Sequence, residues 1–263
     1  VSAYAGITNE LLEHKKTGQP GVYRLFKDQE NYPLKMLALR DNLFKINESF
    51  VKAGLNLEEA NNFIDDRIDQ SINILRSMDN VFASGYLSRQ ELLLAARELL
   101  ASLGEMHSAF NSANILKNRG YHTTYVDLSG WDDSRQLTID ERIKNSFSEI
   151  DPFSTICFAT GYTKGTEGIM REFDRGYSEV TFSKVAVLLG ASEAIIHKEY
   201  HLCSGDPLIM GEENTKPVCN TNYDVADQLA DVGMEAIHPK ASKPLEIKNI
   251  PIRVKNAFDP GHP

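Results

Sequence analysis

Three groups of residues in this chain have the types and spacing to hold a small charged molecule. Asp174-Arg175-Gly176-Tyr177-Ser178-Glu179 puts a guanidinium just ahead of a serine at the foot of an apolar-periodic segment. Arg175 can grip a carboxylate through two parallel hydrogen bonds. A helix capped by Ser178 would add free N–H groups and a dipole that favours an anion. The second group is Gly104-Glu105, inside a helical pattern, and the third is Ser2 with Thr8. An Arg-Gly-X-Ser pattern alone suits an ordinary capped helix with a solvated arginine equally well, so the surrounding elements must decide.

Those elements run from Phe153 to Glu199. Ser154 to Ala159 is an apolar run of strand length, and Gly161 to Tyr177 is a polar, glycine-containing loop. In Ser178 to Gly190, Phe182, Val185, Ala186 and Leu189 share one helical face. Ala194 to Ile196 is a second apolar run that stops at His197-Lys198-Glu199. Strand, loop, helix and strand in this order predict a βαβ unit of a parallel sheet. Such sheets bind ligands at the carboxyl ends of their strands. Those ends are Gly161-Tyr162, the loop with Lys164, Arg171 and Arg175, and His197-Lys198-Glu199.

Upstream, Thr8 or Asn9 caps a predicted helix that ends at Gly18. Residues 32–120 read as almost wholly helical: Met36, Leu39, Leu43, Ile46 and Phe50 recur at helical spacing, as do Ile64, Ile68, Ile72 and Leu75. Breaks are expected near Gly54-Leu55-Asn56, at Ser84-Gly85 and at Ala101 to Glu105, where Gly104 would let a ligand or another helix approach closely. Tyr121 to Leu128 is a predicted strand, and Thr138 starts a helix to about Ile150. Tyr223 to Val232 reads as a helix, a turn of helix from Pro239 should end before Pro244, and Ile250 to Val254 reads as a closing strand. Asp65-Asp66-Arg67 reads as a solvated helix face. Trp131 is expected to anchor its loop, and His107 and His238 to pack or cap helices. His197, His201 and Cys203 lack a suitably spaced fourth ligand, so no metal is assigned there. The whole predicts an α/β domain with a helix-rich lobe over 1–150 and a strand-alternating lobe over 151–263.

Composition sets the outer limits. The chain has 263 residues, 41% hydrophobic and 25% charged, with a net charge of −9. That charge argues against bulk attraction to nucleic acid or acidic lipid. Cys157, Cys203 and Cys219 imply no disulfide framework. No apolar run reaches membrane-spanning length, so a reducing, cytoplasmic setting is the expectation. The start at Val1 without methionine and the turn-rich end at Pro263 read as an internal piece of a longer polypeptide.

The order of the clusters resembles the aspartate kinases of the amino acid kinase family. Val1-Ser-Ala-Tyr-Ala-Gly-Ile-Thr-Asn9 is similar to their second glycine-bearing motif, and Ser102-Leu-Gly-Glu-Met106 to their Ser-X-Gly-Glu motif. Gly161-Tyr162 and Asp174 to Glu179 resemble Gly-Phe and Gly-Arg-Gly-Gly-Ser-Asp. Gly190-Ala191 through Glu199, Gly205-Asp206-Pro207, Gly233 to Pro239 and Ile250 to Asn256 follow in the family's order. The wording of the motifs most resembles aspartate kinases specialised for ectoine synthesis.

The resemblance implies a three-layer α-β-α sandwich with a mainly parallel central sheet. It implies transfer of the γ-phosphoryl group of ATP, bound with Mg²⁺, to the side-chain carboxylate of L-aspartate, the entry to aspartate-family amino acids or ectoine. Carried over, Ser2 and Glu179 belong to the transfer centre. Thr8, Glu105, Tyr162, Arg175 and Ser178 bind aspartate, Glu105 taking the amino group and Arg175 the α-carboxylate. Lys198, Glu199, Leu202, Asp206 and Glu235 occupy nucleotide positions. The 1–150 lobe would bind substrate and the 151–263 lobe nucleotide. A homodimer and C-terminal regulatory modules beyond this chain are implied as well.

The sequence departs from the family in three places. The opening strand with its lysine and Gly-Gly-Thr-Ser loop is absent. Glu235 stands where a nucleotide-contacting lysine is usual. Tyr177 replaces a glycine and Glu179 lengthens an aspartate. Two other readings stay open: a family member acting on a different acid, and an impaired relative that binds ATP or aspartate as a sensor.

Overall fold

The computed structural model describes residues 1–173, 176–231, 237–259 and 261. The chain forms two compact units, Val1–Ser178 and Glu179–Pro263.

The first unit is built on three long helices, and local chemistry sets their ends. After the short helices α1 (Ile7–Leu11) and α2 (Val22–Lys27), α3 (Tyr32–Phe50) opens at Asn31, whose side chain accepts from the Leu34 N–H, with proline in the first turn. α4 (Leu57–Ser84) is capped in the same way by Asn56 and stops at Gly85, where φ is 71°. A left-handed residue there costs glycine nothing and closes the helix. α5 (Arg89–Asn118) follows. Met36, Leu39, Leu43, Ile64, Ile68, Leu75, Leu100, Leu103 and Met106 are fully buried on these helices, α4 packing against both α3 and α5. Each such side chain contributes about 2 kcal/mol.

A buried polar cluster sits among these residues. His107 Nε2 lies 2.6 Å from Asn47 Oδ1, and Asn111 donates to the same oxygen at 2.8 Å. Burial pushes the His107 imidazole down to about 3, so it stays neutral.

α5 leads into β1 (Thr123–Val126) and then α6 (Ile139–Phe147), whose start has a reciprocal Thr138–Glu141 capping box. β2 (Ile156–Ala159) pairs in parallel with β1, from Thr123 opposite Ile156 to Val126 opposite Ala159. Val1 lies beside the end of β2: its N–H donates to Ala159 O at 2.8 Å, and the Gly161 N–H donates to Val1 O at 2.9 Å. α7 (Ile169–Glu172) and the first residues of α8 (Tyr177–Leu188) complete the unit.

In the second unit β3 (Ala194–Lys198) pairs in parallel with β4 (Ile252–Asn256). Between them run α9 (Pro207–Met210), α10 (Tyr223–Asp231) and α11 (Pro239–Ile247). His238 caps α11 by accepting from the Lys240 N–H. Among the described residues no helix is long and apolar enough to cross a membrane.

The α/β class with parallel strands agrees with the sequence, as do the breaks at Gly54 and Gly85. Among the described residues β2 takes β1 as its parallel partner and β3 takes β4, the strand that the sequence placed at the close of the chain. Pairing with β1 ties β2 to the helical unit. Several local expectations are corrected. α1 stops at Leu11, and Gly6, not Thr8 or Asn9, occupies its N-cap. Ala101 to Glu105 does not interrupt α5. A Cβ on Gly104 would lie 2.9 Å from Ala3 Cβ and 3.0 Å from Ile7 Cγ2, so this glycine admits the segment around α1 rather than ending a helix. α11 runs through Pro244 to Ile247, anchored by buried Ala241 and Leu245. Arg67 is not solvated: it pairs with Asp132 at 3.0 Å and lies over the Phe63 and Trp131 rings.

Candidate functional site

In the first unit the expected substrate residues converge on the middle of α5. The Val1–Ile7 segment crosses that helix at Gly104, and Ser108 Oγ donates to Ser2 O at 2.7 Å. Ser2 itself is exposed, and Thr8 is half-buried within α1. One turn along α5, Glu105 is 2% exposed and receives a short hydrogen bond from the Ser178 hydroxyl. Ser178 therefore does not cap α8, which begins one residue earlier at Tyr177; its hydroxyl is used by the carboxyl group instead.

Glu105 Oε2 is buried without a hydrogen-bond partner among the described residues. Burial raises the Glu105 carboxyl to about 8, and the Ser178 bond offsets only part of that. A buried carboxyl with one bonded oxygen and one empty oxygen suits an incoming cation, which would restore its charge.

Tyr162 is also 2% exposed, edge-on to Tyr177 with ring centroids 6.2 Å apart. Its hydroxyl donates to Glu98, a residue that the sequence reading did not single out. The other Glu98 oxygen accepts the Met170 N–H at 2.9 Å. Glu98 thus fixes the loop between β2 and α8 at two points. Its place two turns before Glu105 on the same face of α5 was the available signal. Removing the hydroxyl in Tyr162→Phe keeps the ring contact and takes one partner from Glu98. We expect a loss of about 1 kcal/mol in stability, read as a lower denaturation midpoint at unchanged m-value.

Arg142 ties the same loop to the one after β1. Its Nε donates to Lys164 O at 2.6 Å and its Nη1 to Asp133 at 3.0 Å. Lys164 Nζ reaches Gly130 O and Asp133 O at 2.9 Å each. Trp131 is anchored as expected, its indole N–H donating to Ser102 Oγ at 2.7 Å.

In the second unit Lys198, on β3, pairs with Glu179 at 2.9 Å. The other Glu179 oxygen accepts the His238 N–H at 2.7 Å. Glu179 thus links the end of β3 to the start of α11. Glu199 is exposed just past β3, Leu202 is 9% exposed, and the Asp206 carbonyl accepts the Ile209 and Met210 N–H groups at the start of α9. Arg175 and Glu235 lie outside the described residues.

A buried carboxyl on a long helix is thus met by a serine at the start of the helix after β2. The family model for the amino acid kinase family matches residues 5–256. The chain belongs to the amino acid kinase family.

Within that family its relatives are aspartate kinases. It is 47% identical over 265 residues to aspartate kinase Ask_Ect of Stutzerimonas stutzeri, covering 100% of this chain and 56% of that protein. It is 28% identical over 192 residues to the chloroplastic aspartokinase 3 of Arabidopsis thaliana, 68% of this chain and 34% of the relative. The chain thus spans about half the length of Ask_Ect and a third of the plant enzyme. Among solved structures it is similar to E. coli aspartokinase III in complex with aspartate and ADP. That match has a TM-score of 0.71 at 18% identity and covers 98% of this chain and 55% of the other. A second match is the Clostridium acetobutylicum aspartate kinase, with a TM-score of 0.58, 16% identity and 98% of this chain covered. These likenesses bear out the amino acid kinase fold expected from the motifs.

Proposed function

We propose that this chain is the catalytic domain of an aspartate kinase. The observation that carries the reading is Glu105: buried, bonded by Ser178 on one oxygen and unpartnered on the other. The substrate ammonium docks on that free oxygen and converts Glu105 to its ionised form. Arg175 takes the α-carboxylate, with Thr8 and Tyr162 shaping the pocket. The side-chain carboxylate of aspartate then attacks the γ-phosphorus of ATP. An O–P bond forms, the bond to the β–γ bridging oxygen breaks, and the products are 4-phospho-L-aspartate and ADP. The nucleophile is already an anion, so no base is needed, and positioning with charge stabilisation carries the rate.

On the nucleotide side the reading assigns Lys198, Glu199, Leu202, Asp206 and Glu235. Lys198 and Glu179 neutralise each other at rest, so either can be drawn to a ligand of opposite sign. Mg²⁺ would come with the nucleotide and would need only one or two carboxylates of the protein; Ser2 and Glu179 belong to the transfer centre. The 47% identity to Ask_Ect supports a place in ectoine synthesis, and the reading includes a homodimer and regulatory modules outside the 56% of Ask_Ect that this chain covers.

The test is trapping of acyl phosphate as hydroxamate from full-length protein with MgATP and aspartate. Product with aspartate and none with glutamate is expected. Turnover of glutamate alone would replace aspartate with another acid. Nucleotide binding without any product would favour the sensor.

A further inference from the structure

The first unit contains a cavity that shares Tyr162 with the proposed aspartate pocket and otherwise lies outside it. It measures about 390 Å³ and is lined by neither Glu105 nor Ser178. That volume is in the range of small-molecule sites, which are mostly apolar with a few placed polar groups. Ile74, Met78, Leu94 and Trp131 supply the apolar wall, and Glu91 and Arg171 also line it.

Ser102 and the charged groups of this cavity fall into two classes. Ser102, Glu98 and Lys164 are held by hydrogen bonds to Trp131, to Tyr162 and Met170, and to two backbone carbonyls. Glu91 and Arg171 are exposed, of opposite sign, and make no salt bridge among the described residues. The fixed groups form the frame. The two unpaired charges are what remains for a ligand to satisfy.

We propose that this cavity is a second small-molecule site that takes a free α-amino acid with an apolar side chain. The ligand carboxylate pairs with Arg171, its ammonium with Glu91, and its side chain lies against Ile74, Met78, Leu94 and Trp131. A molecule with one charge would leave the other cavity charge unmatched. A strongly polar side chain would be desolvated without partners.

Trp131 gives the site its own probe. Leucine, methionine and phenylalanine should each change the tryptophan fluorescence of the full-length protein saturably, and Trp131→Phe should abolish that change. Glu91→Gln and Arg171→Met should each weaken binding about tenfold, and hexanoate and hexylamine should bind the unaltered protein weaker by a similar factor. Both substitutions are at exposed positions, and matching melting curves would establish that the variants fold. The proposal is overturned if millimolar amino acid gives no saturable change. It is equally overturned if both charge variants bind normally, or if Glu105→Gln removes the signal and so moves it to the aspartate pocket. Failure here leaves the hydroxamate assay untouched, since that assay reads Glu105 chemistry.

Discussion

Replacing Glu105 with glutamine should lower kcat/KM for aspartate by about 10²–10³, the effect of removing one partner from a buried charge pair, about 3–4 kcal/mol. The amide keeps an acceptor for Ser178 but cannot become an anion when the substrate ammonium arrives. The same substitution should change how stability responds to pH. Glu105 has a carboxyl raised to about 8 in the fold, above its ordinary 4.5. The folded state therefore holds a proton that the unfolded chain releases above about pH 4.5, and stability falls as pH rises from there to about 8. Glutamine has no such proton. Melting temperatures of the two proteins should therefore diverge in favour of Glu105→Gln between pH 5 and pH 8 and run parallel below that window. Aspartate binding expels the proton, so affinity of the unaltered enzyme should rise with pH up to about 8. Parallel melting curves across the whole range would refute the buried acid.

The second large effect is expected at Gly161. A Cβ there would lie 2.8 Å from Val1 O, 2.9 Å from Ser178 Cβ and 3.0 Å from Ser178 Oγ. Two of these neighbours cannot yield cheaply: one is a backbone carbonyl in a hydrogen bond with this very residue, and the other is the serine that holds Glu105. Gly161→Ala should cost about 1–3 kcal/mol in stability through overpacking. It should also move Ser178 by a fraction of an ångström, and displacements near an ångström can cost about 10² in rate. Titration of both substrates separates the parts: KM for aspartate should rise with KM for ATP little changed. A variant with normal stability and normal aspartate KM would show that the close approach carries no weight.

Much of this was legible because it rests on local rules. The helical spacing of Met36, Leu39 and Leu43, the Thr138–Glu141 pair and the glycines at 54 and 85 each dictate structure within a few residues. Motif order singled out Glu105, Tyr162 and Ser178, and the fold brings Glu105 and Ser178 into contact. What the sequence hid depends on distant partners. Gly104 reads as a helix break until Ala3 and Ile7 are seen against it. Arg67 reads as solvated until Asp132 and Trp131 meet it. Glu98 is an ordinary helix glutamate until Tyr162 and Met170 occupy both its oxygens. Pro244 ends a helix by local rule, but buried Ala241 and Leu245 keep α11 going.

The Asn47–His107–Asn111 cluster has a bearing on how accurately Glu105 is set. Apolar side chains tolerate sliding, because a leucine moved along a helix finds another leucine. A buried amide or imidazole does not, since a one-turn slip of about 5.4 Å would strand these groups without partners at a cost of about 1–3 kcal/mol each. α5 is therefore indexed against α3 like a key with a single notch, and Glu105, two residues from His107, inherits that setting. The imidazole is held neutral down to about pH 3, so the notch keeps its shape across the pH range in which Glu105 gains and loses its proton.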